Sequence, residues 1–150
     1  GAAAAADPFS VGAAVLLSPW TDLTGSGASM RGNVKRDPML PAQRIDEAAR
    51  LYAPTMDLAH PDVSPLFANL RGLPPLNIHV GSTEILLDDS HRLAQSARER
   101  GVEVDLTTWH AMPHVFPMFA DFIPEGRRAL MQISKFVAAR LTPQNPQRAT

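Results

Sequence analysis

Leu76-Asn77-Ile78-His79-Val80-Gly81-Ser82-Thr83-Glu84-Ile85-Leu86-Leu87-Asp88-Asp89 changes its pattern halfway along. Leu76 to Val80 is a short apolar-rich run closed by Gly81, which predicts a strand. From Ile85 to Arg100 the spacing turns helical, with Leu86, Leu93 and Ala97 among the apolar positions. Gly101 then suits the residue past a helix C-terminus. Val102 to Trp109 alternates apolar and polar residues, which predicts a second strand near an edge or surface. A helical crossover between two strands implies that they run parallel in a covered sheet.

The same alternation extends outward. Ala13-Ala14-Val15-Leu16-Leu17 is a continuous apolar run ended by Ser18-Pro19, and it predicts a strand buried on both faces. Thr24 to Asn33 is rich in Gly and Ser and reads as a loop. Pro41 to Tyr52 reads as a helix with Ile45, Ala48, Ala49 and Tyr52 on one face. Ala53 to Pro75 is proline-rich and irregular, with room for short helical turns. After Trp109 a loop runs to Pro117. A last helix covers Pro124 to Leu141, with Ala129, Leu130, Ile133 and Val137 at helical spacing. The expected organisation is a lead-in over 1–12, one α/β domain over 13–141 and a frayed tail over 142–150, with about three parallel strands and flanking helices.

Hydrophobic residues make up 45% of the 150 and charged residues 19%, which suits one packed domain. The formal net charge of −1 offers no match for a phosphate backbone, so nucleic acid is not an expected partner. Cysteine is absent, which removes disulfides, thiolate nucleophiles and Cys-based zinc sites together. No apolar stretch approaches the roughly 20 residues that span a bilayer. The start, Gly1 to Asp7, has no basic n-region and does not read as a signal peptide; the compartment is left open, with the cytoplasm favoured. It reads as a helix tail or low-complexity linker, with residues expected before it.

Ligand sites in parallel sheets lie beyond the C-terminal strand ends. Three loops start there, at Ser18, Gly81 and His110. His114, in Trp109-His110-Ala111-Met112-Pro113-His114-Val115-Phe116, is placed to act as a base at that rim. The plainer alternative is a surface histidine in a turn. Phe116, Met118 and Phe119 are available to wall an apolar site. Glu84 stands just past the preceding strand, where a carboxylate can accept the Nδ1 proton of a histidine. Its plainer alternative is an acid favoured by a helix dipole. Asp88, one turn on, either braces the site or caps the helix. Acid first and histidine second, each after consecutive strands, is the order found in α/β-hydrolases.

Four segments in order resemble the C-terminal region of the hormone-sensitive-lipase-like family of bacterial esterases. Leu16-Leu17-Ser18-Pro19-Trp20-Thr21-Asp22-Leu23 resembles the strand and loop after that family's nucleophile region. Ser64 to Pro75 resembles its run before the next strand. Glu84-Ile85-Leu86-Leu87-Asp88 is similar to the Asp-Pro-Leu-x-Asp segment that opens with the triad acid, with Glu84 in place of Asp. His114-Val115-Phe116 is similar to the family's His-Gly-Phe, with the glycine missing. The resemblance spans about Ala13 to Leu141. It implies an α/β-hydrolase fold and a Ser-His-acid triad with Glu84 and His114 as catalytic residues, no cofactor, and a small-molecule ester as substrate. The family's Gly-x-Ser-x-Gly and His-Gly-Gly segments are not found: Ser82 lies between Val80 and Glu84, Ser29 between Gly27 and Arg31, and no other serine fits. In the family both lie upstream, so an N-terminal truncation accounts for their absence.

Two other readings stand beside this one. A non-catalytic module or pseudoenzyme would bind a partner, a second chain or another copy of itself, through the exposed edge of the strand at 13–17. A peptidase or amidase would keep the fold and the triad logic. His110 and His114 have an i, i+4 spacing, but Pro113 and the lack of a Glu after His110 argue against a zinc helix. His79 is expected as a satisfied core or rim residue, and His60 and His91 as surface residues. Trp20 either lines the site or packs, and Asp22 is placed to cap a turn.

Overall fold

A strand whose side chains are all apolar or internally paired belongs in the middle of a covered sheet, and Leu76–Gly81 (β2) is buried at every position. The computed structural model describes residues 11–141. In it β2 lies between Ala14–Leu17 (β1) and Val104–Trp109 (β3), and both pairings are parallel. The register sets Leu17 beside His79, and Gly81 beside Trp109. All three strands therefore end on one rim, from which Ser18, Ser82 and His110 lead away.

The two sheet faces differ in chemistry. Leu76 and Ile78 face Leu93, Ala94 and Ala97 of the helix Leu87–Glu99 (α3), with Leu66, Leu70, Val102 and Val104 completing the cluster. Ile78 is wholly buried, a placement that contributes about 1.5–3 kcal/mol for such a side chain. Asn77 and His79 point to the other face, toward the side of the long helix Pro124–Leu141 (α4). There Trp109 Nε1 donates to His79 Nδ1 at 2.9 Å. An indole nitrogen only donates, so the His79 proton sits on Nε2 and is donated to Asn77 Oδ1 at 2.9 Å. Burial holds the His79 pKa below its ordinary value, in keeping with this neutral tautomer. His79 is thus the satisfied core histidine expected from its place in a strand.

Several local expectations shift. Helix α3 starts at Leu87 rather than Ile85, because the Ile85 N–H is taken by Asp37 Oδ2 at 2.9 Å and residues 82–86 form turns. The Gly/Ser loop contains a one-turn helix, Ser29–Gly32 (α1). Pro41 stands at the N-cap of the helix Ala42–Tyr52 (α2), in which Ala49 is buried but Tyr52 is 70% exposed, so the face assigned to them opens to solvent at its C-terminal end. The irregular stretch holds one 3₁₀ turn, Pro65–Phe67. Strand β1 is only half-buried rather than buried on both faces, and among the described residues it is paired along one edge alone. Most of the lead-in and the whole tail lie outside the described residues.

Candidate active site

Glu84 owes its orientation to the tight turn after β2. Its N–H reaches back to the Gly81 carbonyl at 3.3 Å, which folds the carboxylate inward over the strand end. The side chain is fully buried. Oε1 accepts the Gly81 N–H at 2.5 Å and the Ser18 hydroxyl at 2.7 Å. The peptide carbonyls of the turn are held from outside. Asn33 Nδ2 donates to the Glu84 carbonyl at 2.8 Å and to that of Ser82 at 3.3 Å.

His114 comes from the loop after β3, which lies against the acid turn. Ala111 N donates to Ser82 Oγ at 2.9 Å, and Thr83 Oγ1 donates to the Met112 carbonyl at 2.7 Å. Phe116 anchors the far side: it is fully buried, with its ring 5.3 Å from that of Trp109. Phe116 is therefore a core residue rather than a wall of the site, while Met118 and Phe119 in the following 3₁₀ turn are exposed. The outcome is a hydrogen bond of 2.9 Å between His114 Nδ1 and Glu84 Oε2. The imidazole side chain keeps 21% exposure, and Nε2 has no hydrogen-bond partner among the described residues. A carboxylate accepting at Nδ1 leaves the Nε2 lone pair free, the state in which imidazole can take a proton.

The remaining singled-out residues separate cleanly from this pair. The Asp88 carboxylate accepts the Ser29 N–H at 2.9 Å while Ser29 Oγ accepts the Asp88 N–H at 3.0 Å, so Asp88 ties α1 to α3 rather than bonding to Glu84 or His114. His60, His91 and His110 are exposed. Among the described residues no group of three or more His, Cys, Asp or Glu is placed to hold a metal. Trp20 packs against Leu23 and against Ile85 and Leu86. It also lines a cavity of about 400 Å³ with Leu23, Ala48, Tyr52, Val63 and Pro65, none of which belongs to the pair.

Asp22 caps its turn, accepting from the backbone and hydroxyl of both Thr24 and Ser26, and it pairs with Arg92 at 2.8 Å. Burial alone would raise its pKa, but the bonds from Ser26, Thr24 and Arg92 outweigh burial and lower it. Its neighbour Asp89 goes the other way. Burial raises the Asp89 pKa to about 6 against the hydrogen bonds from Thr21 and Asp22 N–H, and the Asp22 charge adds to the rise. Oδ1 of Asp89 is buried without a partner. A carboxyl raised in the folded state favours folding most below its unfolded value near 3.8, and that contribution fades as pH rises through about 6. We expect Asp89→Asn, which keeps the acceptor for both N–H groups, to lack this loss. Relative to the wild type it should gain on the order of 1–3 kcal/mol between pH 4 and 7. Urea midpoints for the two proteins across that range test this, and a difference that stays constant with pH overturns it.

Sequence reading missed the supporting residues Ser18, Asn33, Asp37 and Asp89. Asp37-Pro38 is a turn-starting pair that flags a carboxylate busy with backbone, and Asp37 Oδ1 does accept Met39 and Leu40 N–H groups. No local signal marks the other three, whose partners lie far away in sequence.

This sheet with an acid and a histidine on its C-terminal rim is a known arrangement, and the chain belongs to the α/β-hydrolase fold family, whose model matches residues 2–118. An acetyl-hydrolase of Streptomyces hygroscopicus is 40% identical over 125 residues, which are 83% of this chain and 42% of that protein. An esterase of Acinetobacter venetianus is 39% identical over 127 residues, with the same shares. Among solved structures, an esterase from the bacterial hormone-sensitive lipase family superposes with a TM-score of 0.84 at 41% identity, covering 86% of this chain and 43% of that one. EstE5 soaked with p-nitrophenyl butyrate gives a TM-score of 0.82 at 40% identity, with the same coverage. The chain thus spans about two fifths of the length of these relatives, 42% for the first two.

Proposed function

We propose that the chain contributes the acid and the base of a carboxylester hydrolase that works through a Ser-His-acid triad. Glu84 is the acid, His114 is the base, and the nucleophilic serine lies outside these 150 residues. The observation that carries this is the 2.9 Å bond from His114 Nδ1 to a fully buried Glu84, with Nε2 at the strand rim unpartnered among the described residues. The relatives' names, acetyl-hydrolase and esterase, favour ester over amide substrates.

In this mechanism His114 Nε2 takes the proton of the serine hydroxyl as its oxygen attacks the ester carbonyl. The same nitrogen then delivers that proton to the leaving alcohol, and the cycle repeats with water. Glu84 fixes the tautomer with the proton on Nδ1 and stabilises the imidazolium formed in between. No step requires a cofactor. The test is turnover of p-nitrophenyl butyrate by the complete protein, with His114→Ala and Glu84→Ala beside it. Loss of turnover in both is the expected result, and full activity in both removes the assignment.

A further inference from the structure

We propose that Ser18 is a positioning residue for the Glu84–His114 pair, acting through its hydroxyl on both partners at once. This rests on the triad reading above and adds a residue to it.

Ser18 follows β1, and its N–H continues the ladder to the His79 carbonyl at 2.8 Å. Its backbone then turns into the left-handed region at φ 49°, where a side chain other than glycine is disfavoured. The side chain is nearly wholly buried. Its Oγ donates to Glu84 Oε1 at 2.7 Å and accepts the Val115 N–H at 3.0 Å. One hydroxyl therefore touches the acid and the peptide unit that follows the base. The two oxygens of Glu84 divide the work: Oε2 faces His114, and Oε1 is held by Gly81 N–H and Ser18. A carboxylate fixed at one oxygen cannot rotate the other away from the imidazole.

The bond to Val115 has its own cause. Val115 adopts φ 45°, an outlier for a β-branched residue. It occupies the position where the resembled motif has glycine, which takes that conformation freely. With valine there, something must hold the backbone, and the Ser18 acceptor is bonded to that very N–H. The valine is tolerable because the serine is opposite it. Serine has one donor and spare acceptor capacity on a short stem, which suits this bridging role. A structural serine that merely satisfied itself would not need to join these two loops to each other.

The test uses the complete protein and Ser18→Gly. Glycine suits φ 49°, so the variant deletes the hydroxyl without adding backbone strain. Hydrogen bonds to charged groups predict a fall in kcat on p-nitrophenyl butyrate of about 10- to 100-fold. KM should stay within about threefold, since Ser18 is buried and acts through the pair. The proton on His114 Nδ1, seen as a far-downfield ¹H NMR signal that vanishes in His114→Ala, should broaden or disappear in Ser18→Gly. A merely structural serine would leave that signal in place in the folded variant. Wild-type kcat with an unchanged signal overturns the proposal. If Ser18→Gly does not fold, Ser18→Cys decides in its place: the thiol is a weak donor and acceptor, so a several-fold fall in kcat supports the role and wild-type kcat overturns it. Inactive His114→Ala and Glu84→Ala with a fully active Ser18→Gly would sink this inference alone. Activity in all of them would sink the triad reading itself.

Discussion

His114→Ala is expected to lower kcat on p-nitrophenyl butyrate by about 10⁴- to 10⁶-fold with little change in KM, because it removes the base proposed to take the serine proton. Glu84→Ala should cost about 10³- to 10⁴-fold, since imidazole remains but loses its orientation and its countercharge. The sharper variant is Glu84→Gln, which keeps the size of the side chain. Its amide oxygen would go where two donors wait, Gly81 N–H and Ser18 Oγ. Its NH₂ would then face His114 Nδ1 and force that nitrogen to accept. The ring proton would move to Nε2, where it blocks base chemistry. Glu84→Gln should therefore be as damaging as Glu84→Ala despite its shape. Steady-state kinetics on the purified variants measure this, and a Glu84→Gln protein with near-wild-type kcat would contradict the role of the acid.

Gly81→Ala is expected to damage folding and site together. A Cβ at Gly81 would lie 1.9 Å from the Met112 carbonyl oxygen and 2.6 Å from its carbon. Both are backbone atoms, so no side-chain rotation relieves the overlap, and the His114 loop must move back as a unit. That movement strains the Ala111–Ser82 and Thr83–Met112 bonds and separates His114 from Glu84. Overpacking of this severity costs about 3 kcal/mol or more. The glycine is required by close approach rather than by backbone conformation, since its φ is not among the positive values. Thermal unfolding and the same ester assay report both effects. A variant that melts within a degree or two of the wild type and turns over ester normally would show that the two loops are not in contact as described.

Much of this was legible in one dimension. The three strands and the last helix follow from apolar runs, alternation and Gly or Pro punctuation, because those patterns reflect which faces of an element are wet. The acid and histidine were legible through their place after consecutive strands, since parallel strands put their C-terminal loops on one rim. The residues that hold them were not. Ser18 read only as the end of a strand, because its partners, Glu84 and Val115, are brought to it by the sheet. Asn33 sat in what read as loop and Asp37 drew no reading, although they fasten the acid turn and delay the start of α3. Asp89 lay unremarked within the expected helix, yet burial beside Thr21 and Asp22 changes its titration.

For the pair proposed as acid and base, sequence alone determined the residue types, their order and the rim they share, because strand direction and loop position are local consequences of pattern. Only the tertiary structure decided that Glu84 turns inward rather than capping a helix, that Asp88 serves α1 instead, and that Val115 stands in a strained conformation beside His114. Each of those depends on donors from distant segments meeting one buried carboxylate, and hydrogen-bond partners across loops have no periodicity that a sequence can display.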